Sequence, residues 1–116
     1  MPVLDYEGLK IELDEEGYLV NPDDWNEKIA CVLADKEGVS KTCPLTQDKI
    51  DILIFMREYY KKYKAFAIPR AVCKNVHQPR ECLYEEFPDP LVAWKIAGLP
   101  NLHPEVYAYF HRLKVK

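Results

Sequence analysis

Cys73 and His77 stand four residues apart, a spacing that puts both on one face of a helix, and Cys82 follows. A thiolate and an imidazole so placed can ligate zinc, or act as a nucleophile and its base. A closed zinc site needs four such ligands, and the chain has no CxxC pair and no evident fourth ligand. Cysteine is among the most often buried residue types, so Cys73 and Cys82 read as packing residues. Cys31, between apolar neighbours, reads as core. Cys43 lies in Lys41-Thr42-Cys43-Pro44, a loop sequence in which Lys41 would favour the thiolate. Cys43 is therefore the first candidate for a reactive thiol and Cys73 the second. Glu85 and Glu86 are neighbours along a helix and do not face each other, so they form no catalytic dyad. There is no glycine-rich phosphate loop, nucleophile elbow or HExxH motif. These residues predict no catalytic group, no metal site and no cofactor. They describe a protein that works by binding a partner rather than as an enzyme.

Cations gather where a partner could be met. Arg57, Lys61, Lys62, Lys64, Arg70 and Lys74 fall between residues 57 and 74. Lys61, Lys62, Arg70 and Lys74 are candidate partner-binding residues, able to steer an acidic surface or to act as a solvated helix end. A nucleic-acid reading is the weaker alternative. Two short helices between Pro69 and Phe87 would make a helix-turn-helix, whose second helix must enter the major groove. Here that helix carries Glu81, Glu85 and Glu86 against one Arg80, and acids facing phosphates are repelled.

The elements that must position these residues follow from periodicity. Leu9, Ile11 and Leu13 alternate with polar residues, and Gly8 and Gly17 mark turns, so residues 3 to 20 predict a small β-hairpin or meander that must rest on helices. Asn21-Pro22-Asp23-Asp24 opens a helix that Gly38 stops. Thr46 caps a longer helix reaching about Tyr63. Its first half, Ile50 to Met56, is apolar nearly all round and predicts central burial. Pro69, Pro79, Pro90 and Pro104 each begin a short helix, near 69–76, 79–87, 90–97 and 104–113, with Gly98 ending the third. The fold class is mainly α (α+β): a bundle of short helices with a small N-terminal β-hairpin.

At 116 residues the chain fits one domain and can bury a core without metals. A net charge of −3 argues against a protein built mainly to coat nucleic acid or an anionic membrane. The opening residues lack the pattern of a signal peptide and no apolar run is long enough to span a bilayer. The expectation is a cytoplasmic protein with no membrane partner, whose four cysteines are thiols.

Several segments, taken in order, resemble the DsrC/TusE family, known as the gamma subunit of dissimilatory sulfite reductase or as a sulfur-relay protein. They are Asp14-Glu15-Glu16-Gly17-Tyr18-Leu19, Asp24-Trp25, Leu45-Thr46 and Arg57-Glu58-Tyr59-Tyr60-Lys61-Lys62-Tyr63. Arg70 with Lys74, Leu83-Tyr84-Glu85 with Phe87-Pro88, and Lys95-Ile96-Ala97-Gly98-Leu99-Pro100 complete the pattern. The resemblance runs from about Val3 to Pro100 and is most specific in its last block. It implies a cytoplasmic bundle of short helices with an N-terminal β-hairpin. It also implies a flexible C-terminal arm whose penultimate cysteine carries sulfur and enters the sulfite reductase. In the DsrC branch a second cysteine stands just before the last block, and the two thiols hold sulfur as a trisulfide.

The chain departs from that pattern where the chemistry lies. The position before Lys95 is Trp94, and residues 101–116 contain no cysteine, with Val115 as the penultimate residue. An indole cannot form a persulfide. His103-Pro104-Glu105 can start a helix with Val106, Tyr107, Phe110 and Leu113 or Tyr109 on an apolar face, so the single domain ends in an atypical helical extension over 101–116. Trp94 is a further candidate partner-binding residue; it could also anchor that extension or sit in the core. The expected function is that of a DsrC-like partner or regulator, bound to a sulfite reductase or sulfur-relay enzyme, without the arm thiols. The alternatives are a sulfur carrier that uses Cys43 or Cys73, and a DNA-binding regulator.

Overall fold

A computed structural model describes residues 3–6, 8–64, 67–88 and 90–100. The chain opens with an antiparallel hairpin, β1 (Val3–Tyr6) and β2 (Leu9–Glu12), in the register Val3↔Glu12 to Tyr6↔Leu9. Just past β2, Leu13 makes an isolated antiparallel bridge with Leu19. Ile11 and Leu13 are buried, as alternation demands, and Gly17 turns the chain at positive φ between them and Leu19.

The helix expected from Asn21 to Gly38 is two pieces. Asn21 caps a short 3-10 turn, Pro22–Asp24, by accepting from the Asp23 N–H at 3.1 Å. Trp25 is then extended, and a second cap, Asn26, accepts from the Ile29 N–H at 2.9 Å and starts α1 (Glu27–Lys36). The break has a physical cause. Two Asn side chains compete for the backbone, and the Trp25 ring is drawn away to α5 (Pro90–Ile96), described below. α1 ends at Gly38 as expected. The N–H groups of Gly38 and Val39 return to the carbonyls of Asp35 and Ala34, the paired bonds of a Schellman motif.

Thr46 caps α2 (Gln47–Tyr63), and Lys64 closes it in the left-handed region. Ile50, Ile52, Leu53 and Met56 are buried, whereas Ile54 is 41% exposed, so the apolar stretch buries one broad face rather than its whole circumference. α3 (Pro69–Asn75) is followed by α4 (Cys82–Glu86), which begins three residues later than expected because the Pro79 carbonyl is taken up in a turn by the Cys82 N–H. α5 packs against α1, α2 and α4. The outcome is the predicted class, a mainly helical bundle resting on a small N-terminal hairpin. None of the helices among the described residues is long and apolar enough to cross a membrane. The predicted helix at 104–113 lies outside the described residues.

The cysteines differ from the sequence expectation. All four are paired, Cys31 with Cys43 and Cys73 with Cys82, at Cα–Cα distances of 5.6 and 5.7 Å. Cys43 and Cys73, the candidate reactive thiols, are therefore not free. Linear spacing hid this because each partner comes from a different element. Cys31 sits on α1 and reaches the loop after it; Cys73 on α3 reaches the first residue of α4. Cys73 and Cys82 are also core residues, each 1% exposed, so the packing reading holds beside the bond.

The Cys73–Cys82 bond fastens a five-residue helix that has no side-chain cap. Cross-linking a loop this short removes unfolded-state entropy equivalent to about 3 kcal/mol. We expect the double variant Cys73→Ser/Cys82→Ser to lose roughly 2–4 kcal/mol in urea denaturation, with protection lost first in α4 by hydrogen exchange. An unchanged midpoint would show that the bond contributes nothing to α4.

Candidate functional site: the anchored root of the C-terminal segment

The last turn of α5 leaves carbonyls without helical partners, as every helix end does. Here each one finds a donor. Gly98 and Leu99 fold back so that their N–H groups reach the carbonyls of Lys95 and Trp94, at 3.0 and 3.4 Å. The next two carbonyls are taken by side chains from far away in sequence. Trp25 donates its indole Nε1–H to the Ile96 carbonyl at 2.8 Å, and Arg57 donates from Nη1 to the Ala97 carbonyl at 2.8 Å. The second arm of the Arg57 guanidinium, Nη2, donates to the Pro22 carbonyl at 3.0 Å. The guanidinium carbon lies 4.6 Å from the centre of the Trp25 ring, so the two clamp residues also hold each other by a cation–π contact.

Gly98 makes the close fit workable. Its φ is +73°, and a Cβ there would fall 2.5 Å from Trp25 Cδ1 and 3.0 Å from Leu19 Cδ2. Both the backbone conformation and the lack of a side chain are therefore required. Two residues further on, Trp94 donates its Nε1–H to the Pro100 carbonyl at 2.6 Å. Its ring is 1% exposed and meets Tyr60 of α2 edge-on at 5.4 Å. A line of donors on α2, α5 and the segment after Asn21 thus fixes the backbone from Ile96 to Pro100.

Electrostatically the site is a half-buried cation among carbonyl dipoles. Burial pulls the Arg57 guanidinium below its ordinary pKa, while the charges of Asp23 and Glu58 act the other way. A planar fork that bonds two carbonyls and stacks on a ring is a job for arginine rather than lysine. Nothing in the clamp is a nucleophile or an acid–base pair. Its chemistry is positional.

Among the residues singled out from sequence, Trp94 belongs to this site, but as a buried anchor. It cannot meet a partner from that position, because packing against Tyr60 leaves it no surface. Lys61 and Lys62 are exposed on the last turn of α2, and Arg70 and Lys74 are exposed one turn apart on α3, which packs beside α2. Lys64 lies 5.5 Å over the Tyr60 ring, which links the basic end of α2 to the Trp94 anchor. His77 does not join Cys73 in a ligand set. It sits past the end of α3 at φ +59°, closing a second Schellman turn, and no group of metal ligands forms among the described residues. Glu86 forms an ion pair with Lys49 at 2.9 Å. Sequence reasoning missed the joint role of Trp25 and Arg57. One signal was available: Arg57 follows Met56 directly and falls one helical turn from both Leu53 and Tyr60, where a solvated cation would be out of place.

Comparison with known proteins bears on this arrangement. Residues 5–105 match the family model described as DsrC like protein. The chain is 37% identical over 110 residues to the sulfurtransferase TusE of Photorhabdus laumondii, covering 87% of this chain and 96% of that one. It is 35% identical over 103 residues to the gamma subunit of the dissimilatory-type sulfite reductase of Nitratidesulfovibrio vulgaris, covering 87% and 95%. In structure it is similar to the oxidized gamma subunit of the dissimilatory sulfite reductase (DsrC) from Archaeoglobus fulgidus. The TM-score is 0.73 at 32% identity, over 88% of this chain and 97% of that one.

Two substitutions report on the clamp. Gly98→Ala should cost about 1–3 kcal/mol, from the left-handed backbone and the overlap with Trp25 together. Arg57→Met keeps the apolar stem but strands the Ala97 and Pro22 carbonyls, and should cost roughly 1–3 kcal/mol. In both variants the Trp25 indole N–H resonance should move while secondary structure persists. Wild-type stability together with an unmoved indole signal would refute the clamp.

Proposed function

The chain belongs to the DsrC-like family, and from that premise we propose that it is a non-catalytic protein partner in sulfur metabolism, not the bearer of the sulfur. It would dock on a sulfite reductase or a sulfur-relay enzyme as a gamma-subunit-like protein. The observation that carries this reading is the fate of the sulfur atoms. Every cysteine is committed to a disulfide within the body, while the segment anchored at Pro100 contains none. The anchor is built and the cargo-bearing group is missing.

Docking is assigned to the basic surface formed by the end of α2 and the outer side of α3, with Lys61, Lys62, Arg70 and Lys74 exposed there. Such charges act mainly on encounter rate and partner choice, so their effect should fade as salt rises. The DNA-binding alternative draws no support from the helix pair. Leu83 and Cys82 of α4 face the core, which leaves Glu81, Tyr84 and Glu85 on the outside, where phosphates would be repelled. The competing carrier reading keeps one observation in its favour, the exposure of Cys43.

The test has two arms. Affinity capture with the full chain from native extract should recover a sulfite reductase or a sulfurtransferase, and charge reversal at Lys61, Lys62 and Arg70 should reduce the yield at low salt. Separately, reduced protein incubated with a sulfane-sulfur donor and desalted should retain no added sulfur by intact mass. One retained sulfur atom per chain, mapped to Cys43 or Cys73, would overturn the partner reading in favour of a carrier.

A further inference from the structure

We propose that the Cys31–Cys43 disulfide is a thiol–disulfide exchange site, entered by a small solvent-borne thiolate at Cys43 and closed again by Cys31. This is independent of the partner reading above, because it concerns exchange with a thiol and not retention of sulfur or docking.

The two disulfides of the protein differ in access. Thiolate attack requires an approach from behind the sulfur, along the line of the bond being broken. Cys73 and Cys82 are each 1% exposed, so neither sulfur offers that approach without unfolding. Cys31 is 6% exposed on α1, between Ala30 and Val32 in the core, and is closed as well. Cys43 is exposed, in a loop whose neighbours Lys41, Thr42 and Pro44 are exposed too. Of the four cysteines it alone presents itself to solvent. Lys41, two residues away and exposed, adds positive charge to the same loop, which favours an anionic thiolate.

The tethering of the loop points the same way. Val39 is fixed to α1 through the Ala34 carbonyl at 2.8 Å, and at the other end Leu45 is buried and Thr46 caps α2. Between them, the hydrogen bonds of residues 41–44 among the described residues are local, between Thr42 and Ser40. The disulfide is thus what joins this stretch to the core. Breaking it frees a few residues, whose fixed flanks keep Cys43 near Cys31. A short tether of this kind gives the second thiol a high effective concentration, which is what a resolving cysteine needs.

The exchange balances as follows. A thiolate RS⁻ attacks Cys43 Sγ, the Cys31–Cys43 bond breaks, and Cys31 leaves as a thiolate that takes up a proton. The product is a mixed disulfide between R and Cys43. A second RS⁻ attacks the R sulfur of that mixed disulfide and releases RSSR and the Cys43 thiolate. Two electrons have passed from two thiols to the protein. In the reverse sense, RSSR gives the mixed disulfide on Cys43, and Cys31 attacks Cys43 Sγ, expels RS⁻ and restores the bond.

Glutathione is the probe. Oxidised full-length protein is treated with reduced glutathione under native conditions, quenched with an alkylating reagent and mapped by peptide mass. Cys31 and Cys43 should be labelled at least about tenfold faster than Cys73 and Cys82. Equal rates, or faster opening of Cys73–Cys82, would overturn the proposal. Next, reduced wild-type protein and the Cys31→Ser variant are exposed to oxidised glutathione. The variant should accumulate a lasting adduct on Cys43, whereas wild type should pass to the internal disulfide and keep none. No adduct in a variant that circular dichroism shows to be folded, or a lasting adduct in wild type, would also overturn it. If the variant does not fold, the labelling rates in wild-type protein decide the matter alone.

Discussion

A helix that ends inside a protein has carbonyls to satisfy, and the end of α5 depends on how this is done. Two of its last carbonyls are served by the local turn at Gly98. The other two are served by Trp25 and Arg57, which stand 71 and 40 residues away from their acceptors. These bonds require the 3-10 turn before Trp25, the middle of α2 and the end of α5 to meet at one place. Lose either donor and a buried carbonyl is left without a partner, which costs more than the net value of the bond that was lost. The helices are short and most pack through modest contacts, so this meeting point does much to define how they sit together.

Much of this architecture was legible in the sequence because it is local. Thr46, Gly38, Gly98 and the prolines at the starts of α3 and α5 act within one turn of themselves, and each does what its type predicts. The alternation that places Ile11 and Leu13 inward is local too. What was not legible depends on which distant parts meet. Asn26 outcompetes continuation from Asn21 only because Trp25 has a carbonyl to reach on another helix. Trp94 was assignable to the core or to the tail from sequence; the structure places it in the core, and the extension over 101–116 lies outside the described residues. Its ring is packed against Tyr60 and its N–H holds Pro100.

The cysteines illustrate the same limit more sharply. Spacing along the chain suggested a helical face shared by Cys73 and His77, and a free thiol at Cys43. Pairing is instead decided by which Cα atoms lie within reach of a disulfide, a three-dimensional property that no motif of this chain encodes. The compartment argument for thiols is a statement about the redox surroundings and not about geometry. The two bonds also have different structural duties. Cys73–Cys82 lies within the core and secures a short uncapped helix, whereas Cys31–Cys43 ties an otherwise locally bonded loop to α1.

Position and chemistry are separable in this fold. The clamp of Trp25, Arg57 and Gly98 acts entirely on backbone atoms, so it is indifferent to which side chains follow Pro100. A thiol just before Lys95 is a different matter. That position is occupied by an indole whose ring fills core space and whose N–H is engaged. A cysteine there would leave a cavity and an unpaired Pro100 carbonyl, so the indole is built into the packing and is not a neutral surface choice. Position 94 is thus a core position and a backbone anchor at once: the ring that fills the space beside Tyr60 also holds the chain at Pro100.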